Sequence, residues 1–304
     1  CVRKVGKSTI SWMPLTEGDL TPQDILSTWK NNDFIFKEES SDGNKNGLRP
    51  PQIGGIYAAL GHERSDSNSS ATIVMPTGTG KTETILSIII AGKFDKTLVV
   101  VPSDALRTQI SKKLLEYELL RKFGLINSST ENPKVAVINH GIKEDVELNE
   151  IINANVIVAS AAALSHFSDD GISKLTNECS HLIVDEAHHV TAVTWARVKK
   201  QFQKNKVFQF TATPFRTDGS RIEGKIIFNY PLKKAQEDKY FKPIEFHPVR
   251  EFIEENADSA IAEKAICLLR KDLANGFDHI IMARASTISR AKEVFTYYEK
   301  HPDL

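Results

Sequence analysis

The sequence predicts an α/β fold built on a mostly parallel, doubly wound sheet. Three observations carry that prediction. Short, continuous runs rich in Val, Ile and Leu recur at 72–75, 97–101, 135–139, 155–159, 181–184 and 207–210, the pattern of strands buried on both faces. Stretches of helical periodicity separate most of these runs. Finally, each chemically distinctive motif falls just after one of them, at the strand end where parallel sheets bind ligands.

Taken in order, residues 1–47 are polar and weakly patterned and read as an N-terminal extension. Within them, Thr21–Lys30 predicts a short helix with Pro22 in its first turn, and Ser40–Gly47 is turn-rich. Residues 51–60 predict a helix, and 65–70 a Ser/Asn-rich loop. The regular alternation then begins, within a first domain spanning 48–230. There Leu106, Ile110, Leu114 and Tyr117 share one helical face, with Ser103 or Asp104 placed to cap its start. Residues 231–304 read as a linker and the beginning of a second α/β unit. That unit starts near Pro243, with strands at 244–249 and 279–283 and helices at about 258–274 and 289–300. The chain lacks an initiator Met and stops before this second unit is complete, so it reads as part of a longer polypeptide.

Composition narrows the function classes. Apolar residues make up 40% and charged residues 26% of the chain, an ordinary globular balance. The longest apolar run, around Ile85–Ala91, is too short to span a membrane. Cys1, Cys179 and Cys267 form neither a disulfide framework nor a zinc motif, which suits a reducing cytoplasm. Lys and Arg number 39 against 39 Asp and Glu. That balance disfavours a coat-like nucleic-acid binder while leaving room for a local basic groove.

The strongest motif is Met75-Pro76-Thr77-Gly78-Thr79-Gly80-Lys81-Thr82, between a strand and a helix. Phosphates need backbone N–H donors that approach closely, which Gly78 and Gly80 permit, and a helix N-terminus adds a favourable field. Lys81 brings a positive charge for the β- and γ-phosphates, and the Thr82 hydroxyl a magnesium ligand. Met75 stands where the full phosphate-loop pattern begins with Gly. Upstream, Gly6-Lys7-Ser8-Thr9 carries only the terminal triplet, with no second glycine and no preceding strand, and reads as coil.

The second motif is His181-Leu182-Ile183-Val184-Asp185-Glu186-Ala187-His188, an apolar strand ending in two carboxylates. Nucleotide hydrolysis needs one carboxylate on the metal side and another to orient or deprotonate water. Asp185 and Glu186 can divide those roles. Cys179, His181, His188 and His189 alternate across a strand and a turn without a second ligand pair, which disfavours zinc. Arg197, Lys199, Lys200, Lys204 and Lys206 form a dense basic run, better read as a solvated face than as a phosphate-contacting one.

Asp185-Glu186-Ala187-His188 resembles motif II of the DEAH-box members of superfamily 2 helicases, and the phosphate loop resembles their motif I. Further stretches follow in the family's order. Val99–Ser103 with Leu106 and Gln109 looks like motif Ia, Val156–Ser160 like motif Ib, and Thr211-Ala212-Thr213, extended by Pro214-Phe215-Arg216, like motif III. Leu48-Arg49-Pro50-Pro51-Gln52 resembles the adenine-reading Q element. The resemblance covers about residues 48–304 and implies a RecA-like domain followed by the start of a second one, with ATP and Mg2+ in the cleft. It implies base-side roles for Arg49 and Gln52, and coupling of nucleotide to nucleic acid through His188, Thr211 and Thr213. Nucleic-acid contacts are implied at Pro102, Ser103 and Ser160. It places the arginine finger in the second domain beyond Leu304, so that this chain reads as a truncated motor.

The Thr-Ala-Thr-Pro-Phe-Arg string, and the stretch from Tyr230 to Pro243, are similar to the restriction-enzyme-like type I/III branch. That similarity implies double-stranded DNA as the track and a nuclease as partner or fused domain. An RNA helicase, and a nucleotide-dependent switch or scaffold that does not unwind, remain open beside it.

Overall fold

The computed structural model of the chain describes residues 3–4, 10–12, 20–40, 46–65, 67, 69–139, 151, 153–189, 192–202, 206–215, 219, 221–241 and 245–301. The chain divides into two compact units, residues 1–242 and 243–304. The triplet at Gly6–Thr9, and Lys204 and Arg216, lie outside the described residues.

The first unit is organised by one sheet. Its strands are β1 (Arg3–Lys4), β2 (Ile10–Trp12), β3 (Ala71–Val74), β4 (Thr97–Val101), β5 (Val135–Ile138), β6 (Val156–Ser160), β7 (His181–Val184), β8 (Lys206–Thr211) and β9 (Lys225–Asn229). They lie in the order β1-β2-β5-β6-β4-β7-β8-β3-β9. From β5 to β9 the sheet is wholly parallel, while β1 and β2 add an antiparallel edge. The six strands read from apolar runs are all present, with ends shifted by no more than one residue.

The period-2 alternation of strand side chains divides the core in two. Val99, Val101, Val135, Val137, Val156, Val158 and Ile183 point to one face. There they meet α1 (Pro22–Asn31), α2 (Pro50–Glu63), α3 (Lys81–Ala91), α4 (Asp104–Glu116) and α5 (Glu118–Lys122). Leu98, Val100, Ala136, Ile157, Leu182 and Val184 point to the other. That face carries α6 (Ala161–Ser165), α7 (Asp169–Asn177) and α8 (Ala192–Gln201). Burial on both faces explains why every residue of β3, β4, β5, β6 and β7 is buried.

Two findings amend the sequence reading of this unit. Residues 1–47 are not simply an extension. Thr21 caps α1 through its hydroxyl, and Ile25, Leu26 and Trp29 enter the same core as β3 and α3. Trp29 is fully buried, and its indole N–H donates to the Glu131 carbonyl at 2.8 Å. One apolar stripe on an otherwise polar decapeptide is enough to join a core when its neighbours supply the opposite wall. The sequence reading also omitted β9, whose half-buried Ile226, Ile227 and Phe228 form the sheet edge beside β3.

The second unit carries α10 (Ala257–Ala274) and α11 (Ile288–Glu299). The strands expected at 244–249 and 279–283 are not formed among the described residues, and residue 244 lies outside them. A strand is defined by its ladder partner, and neither stretch has one among the described residues; Ile280 and Met282 remain about nine-tenths exposed. Among the described residues no helix is long and apolar enough to cross a membrane.

Candidate active site

In a parallel sheet all carboxyl ends point one way. The order β6-β4-β7-β8-β3 therefore brings the loops after five strands side by side, and those loops hold the five sequence motifs. Neighbouring strand ends meet directly, β3 with β8 and β7 with β4. Met75 N donates to Thr211 O at 2.9 Å, and Asp185 N donates to Val100 O at 2.8 Å.

The phosphate-type loop runs from Met75 to Gly80 and opens α3 at Lys81. Gly78 and Gly80 stand at φ +84° and +96°, in the region that disfavours any side chain. Met75, the departure from the Gly-first pattern, is fully buried, with its sulfur 4.0 Å from the Thr84 hydroxyl, which donates to Gly80 O at 3.1 Å. It is a core residue that leaves the loop geometry intact. Thr79 is also fully buried, with its hydroxyl turned inward to Pro76 O at 2.6 Å, so only its backbone can serve a ligand. The Lys81 ammonium donates to Met75 O at 3.3 Å and pairs with Glu186 Oε1 at 2.9 Å.

Asp185 ends β7 as a buried carboxylate. Burial, and then the neighbouring Glu186 charge, push its pKa up to about 6, against the opposing pull of Lys81. Such a group gains most from a nearby cation. Asp185 Oδ1 accepts from Glu186 N at 2.9 Å. Glu186 itself occupies the left-handed region at φ +47°, a conformation uncommon outside glycine and enriched at functional sites. Its two oxygens face different partners: Oε1 faces Lys81, and Oε2 lies 3.5 Å from His188 Nδ1.

His188 carries the site across to β8. Its Nδ1 is 2.9 Å from the Thr211 hydroxyl, which donates to Thr213 O at 2.6 Å. The carboxylate, imidazole and threonine thus form one connected chain.

On the other side, Arg49 N donates to Gln52 Oε1 at 2.8 Å, and Gln52 Nε2 donates to Gly80 O at 3.3 Å. Arg49 Nη1 reaches Gly78 O at 2.7 Å. The residues expected on the base side therefore grip the phosphate loop. A cavity of about 540 Å³ runs past Arg49, Gln52, Thr77, Gly78, Gly80, Lys81, Thr82, Asp185 and Glu186, a volume within the range of about 300–1,000 Å³ common to ligand sites. The rest of its lining is mixed: Leu48, Leu106, Leu119, Leu120 and Phe123 are apolar, Glu39 and Gln109 are polar, and Glu83 pairs with Lys113. The α5 wall had no sequence signal beyond an ordinary amphipathic stretch.

The residues expected to touch nucleic acid sit farther along the same edge. Ser103 caps α4 by accepting from Leu106 N, and Ser160 caps α6 by accepting from Ala163 N. Ser160 is buried, and its hydroxyl also accepts from Arg107 at 3.4 Å, whereas Pro102 and Ser103 reach the surface. The basic run is largely engaged. Arg197 pairs with Asp169, Lys199 with Glu223, and Lys206 donates to the carbonyls of Ser65 and Ser67. Cys179 is a buried thiol whose pKa burial pushes up to about 12, and His181 stacks on Phe94 at 3.6 Å. Among the described residues no group of three His, Cys, Asp or Glu is arranged to hold a metal on its own. Magnesium, which usually takes one or two protein ligands and completes its shell with phosphates and water, does not require one.

Residues 45–216 match the sequence model of the family described as type III restriction enzyme, res subunit. Among solved structures, a nuclease-deletion mutant of the Type ISP restriction-modification enzyme LlaGI in complex with a DNA substrate mimic is 19% identical. That match covers 74% of this chain and 22% of the other, with a TM-score of 0.42. The UvsW helicase from bacteriophage T4 is 14% identical over 65% of this chain and 62% of its own, with a TM-score of 0.39. A hypothetical ATP-dependent RNA helicase from Sulfolobus tokodaii is 22% identical over 63% and 51%, with a TM-score of 0.41. The chain thus spans between 22% and 62% of the length of these proteins. No curated protein matches it at comparable stringency.

Proposed function

Because the chain belongs to the family of type III restriction enzyme res subunits, whose helicase-type ATPase domain it carries, we propose that it is the ATP-driven motor of a restriction-like DNA translocase. The observation that carries this reading is the connected chain Lys81–Glu186–His188–Thr211 across three adjacent strand ends. A hydrolytic site needs a cation for phosphate, a carboxylate for water, and a way to report the phosphate's fate elsewhere. This chain of contacts supplies each at one place.

The residues present fit ATP and magnesium. Two glycines at positive φ open the loop to phosphate oxygens, and the buried Asp185 carboxylate favours a nearby cation. Thr82 and Asp185 would hold the magnesium ion, which would neutralise charge on the β- and γ-phosphates. Lys81 binds those phosphates, and a phosphate arriving there competes with Glu186 for the ammonium. Glu186, once its Oε1 is released, orients the attacking water and accepts its proton. Arg49 and Gln52 hold the loop from the base side. His188 follows Glu186 and passes the change to Thr211 and Thr213, beside the edge where Pro102 and Ser103 face the track and the buried Ser160 supports it from behind.

The track we assign is double-stranded DNA, contacted through its backbone, with a nuclease as partner or fused domain. Phosphate release measured with duplex DNA, single-stranded DNA and RNA tests the assignment. Duplex DNA should stimulate turnover most, and Lys81→Ala should abolish that turnover. Stimulation by RNA alone would replace the track. Turnover indifferent to every nucleic acid would point to a switch or scaffold instead.

A further inference from the structure

Residues well beyond the matched domain reach the mouth of the nucleotide cavity. After β9 the chain forms α9 (Leu232–Glu237), anchored by the fully buried Ala235, and turns at Lys239 with φ +61°. Tyr240 N and Phe241 N then both donate to Ala235 O, at 2.9 and 3.2 Å. This turn sets the two aromatic rings against the phosphate loop. The Arg49 guanidinium carbon lies 5.0 Å from the centre of the Tyr240 ring, while the same guanidinium donates to Gly78 O at 2.7 Å. The Tyr240 hydroxyl donates to the Glu39 carboxylate, and Glu39 and Arg49 both line the cavity. The Phe241 ring lies 3.6 Å from the point where a side chain on Gly78 would begin.

We propose that Tyr240 and Phe241 are positioning residues of the nucleotide site: Tyr240 fixes the Arg49 guanidinium against the phosphate loop, and Phe241 packs over the Gly78 turn. The proposal rests on the nucleotide reading given above. A guanidinium is planar, and its face and its edge make different contacts. Here the guanidinium lies over an aromatic ring within the roughly 6 Å reach of a cation–π contact, and one of its N–H groups meets a carbonyl. Those two contacts together restrict a side chain that otherwise keeps many rotamers, so Arg49 meets a ligand pre-organised. Glu39 in turn fixes the ring. Burial and the Glu39 charge raise the hydroxyl pKa and keep it a donor. No local motif reveals this arrangement, because 190 residues lie between Arg49 and Tyr240. The match to the family also ends at residue 216.

Titration of this 304-residue chain with a fluorescent ATP analogue tests the proposal. Tyr240→Ala should weaken binding about 3- to 10-fold, the scale of one partly exposed cation–π contact. Tyr240→Phe keeps the ring and should retain most of the affinity. The double variant Arg49→Ala/Tyr240→Ala should bind no worse than Arg49→Ala alone, because the two residues act as one unit. A merely structural role would lower the melting temperature without this pattern in affinity. Should Tyr240→Ala fail to fold, Tyr240→Leu removes the π face while keeping bulk and carries the same expectation. Parental affinity in the ring-less variant, or additive losses in the double variant, would overturn the proposal. An absence of binding by the parental chain would overturn the nucleotide reading as well, and would show before any change at Tyr240.

Discussion

The Lys81 ammonium sits 2.9 Å from Glu186 Oε1, in a pair whose side chains are only 7% and 17% exposed. Desolvating both charges is costly, and their attraction recovers that cost only with good geometry and further hydrogen bonds. Lys81 has one such bond, to Met75 O. The pair is therefore a ready source of a cation for phosphate and a carboxylate for water, held close together until a stronger anion competes.

Lys81→Ala removes the phosphate-facing charge and leaves Glu186 without its cation. Affinity for a fluorescent ATP analogue should fall by at least 100-fold, on the scale of about 3 kcal/mol for a charge-assisted contact. Unchanged affinity in the same titration would remove Lys81 from the site.

Glu186→Gln should separate binding from hydrolysis. The amide oxygen can still accept from Lys81, so the loop keeps its shape, but an amide cannot take a proton from water. Turnover should fall by about 100-fold or more, the scale of general-base catalysis, while the ATP dissociation constant changes little. Steady-state phosphate release alongside equilibrium binding measures both. A variant that turns over at the parental rate would assign the water to another residue.

How much of this was legible beforehand depended on the range of the contacts. Lys81, Asp185 and Glu186 announce themselves because loop and strand-end chemistry is local: a glycine pair before a helix, and two carboxylates after an apolar strand. The parallel sheet was equally open, since burial on both faces leaves unbroken Val/Ile/Leu runs such as Thr97–Val101. Trp29 was not legible as core, because its stripe is meaningful only with Glu131 and the opposite wall in place. Ile226–Phe228 were missed as a strand because an edge strand is only half-buried and carries a weak pattern. Residues 279–283 show the reverse: an apolar run that pairs with no strand among the described residues. Tyr240 falls in the stretch read as restriction-enzyme-like, but its contact was hidden for a third reason, since nothing local says that an aromatic ring lies on Arg49.

Asp185 gives a pH-dependent prediction. Its folded-state pKa is raised from 3.8 to about 6, so the folded state holds this proton more tightly than the unfolded chain does. The resulting contribution to stability is complete below about pH 3.8 and is lost as pH rises through about 6. Asp185→Asn removes the buried charge and keeps an acceptor for Glu186 N. In buffer containing a chelator, the variant should be more stable than the parent at pH 7.5, by up to about 3 kcal/mol, and melt correspondingly higher. The gap should close towards pH 4. With magnesium and ATP present the order should reverse, since only the parent gains from ligand binding. Equal melting temperatures at both pH values would show that the Asp185 carboxylate is not destabilised by its surroundings.

Gly80→Ala tests whether Gln52 and the phosphate loop are one structure. Gly80 stands at φ +96°, outside the region open to alanine at low cost. A side-chain carbon there would also overlap the Gln52 amide, its Cδ being only 2.8 Å away. Gln52 is 6% exposed and accepts from Arg49 N, so it cannot swing aside without breaking that bond. Two costs therefore add: backbone strain of about 1–3 kcal/mol, and a displaced hydrogen bond of about 1 kcal/mol. The variant should lose about 2–4 kcal/mol of stability in urea unfolding, consistent with those magnitudes. It should also lose ATP affinity. Gly80→Ala combined with Gln52→Ala relieves the overlap while keeping the strain, so it should recover part of the stability and little of the binding. If the double variant is instead less stable than either single change, the loop and Gln52 bear on separate parts of the fold, and the grip described here is not what shapes the site.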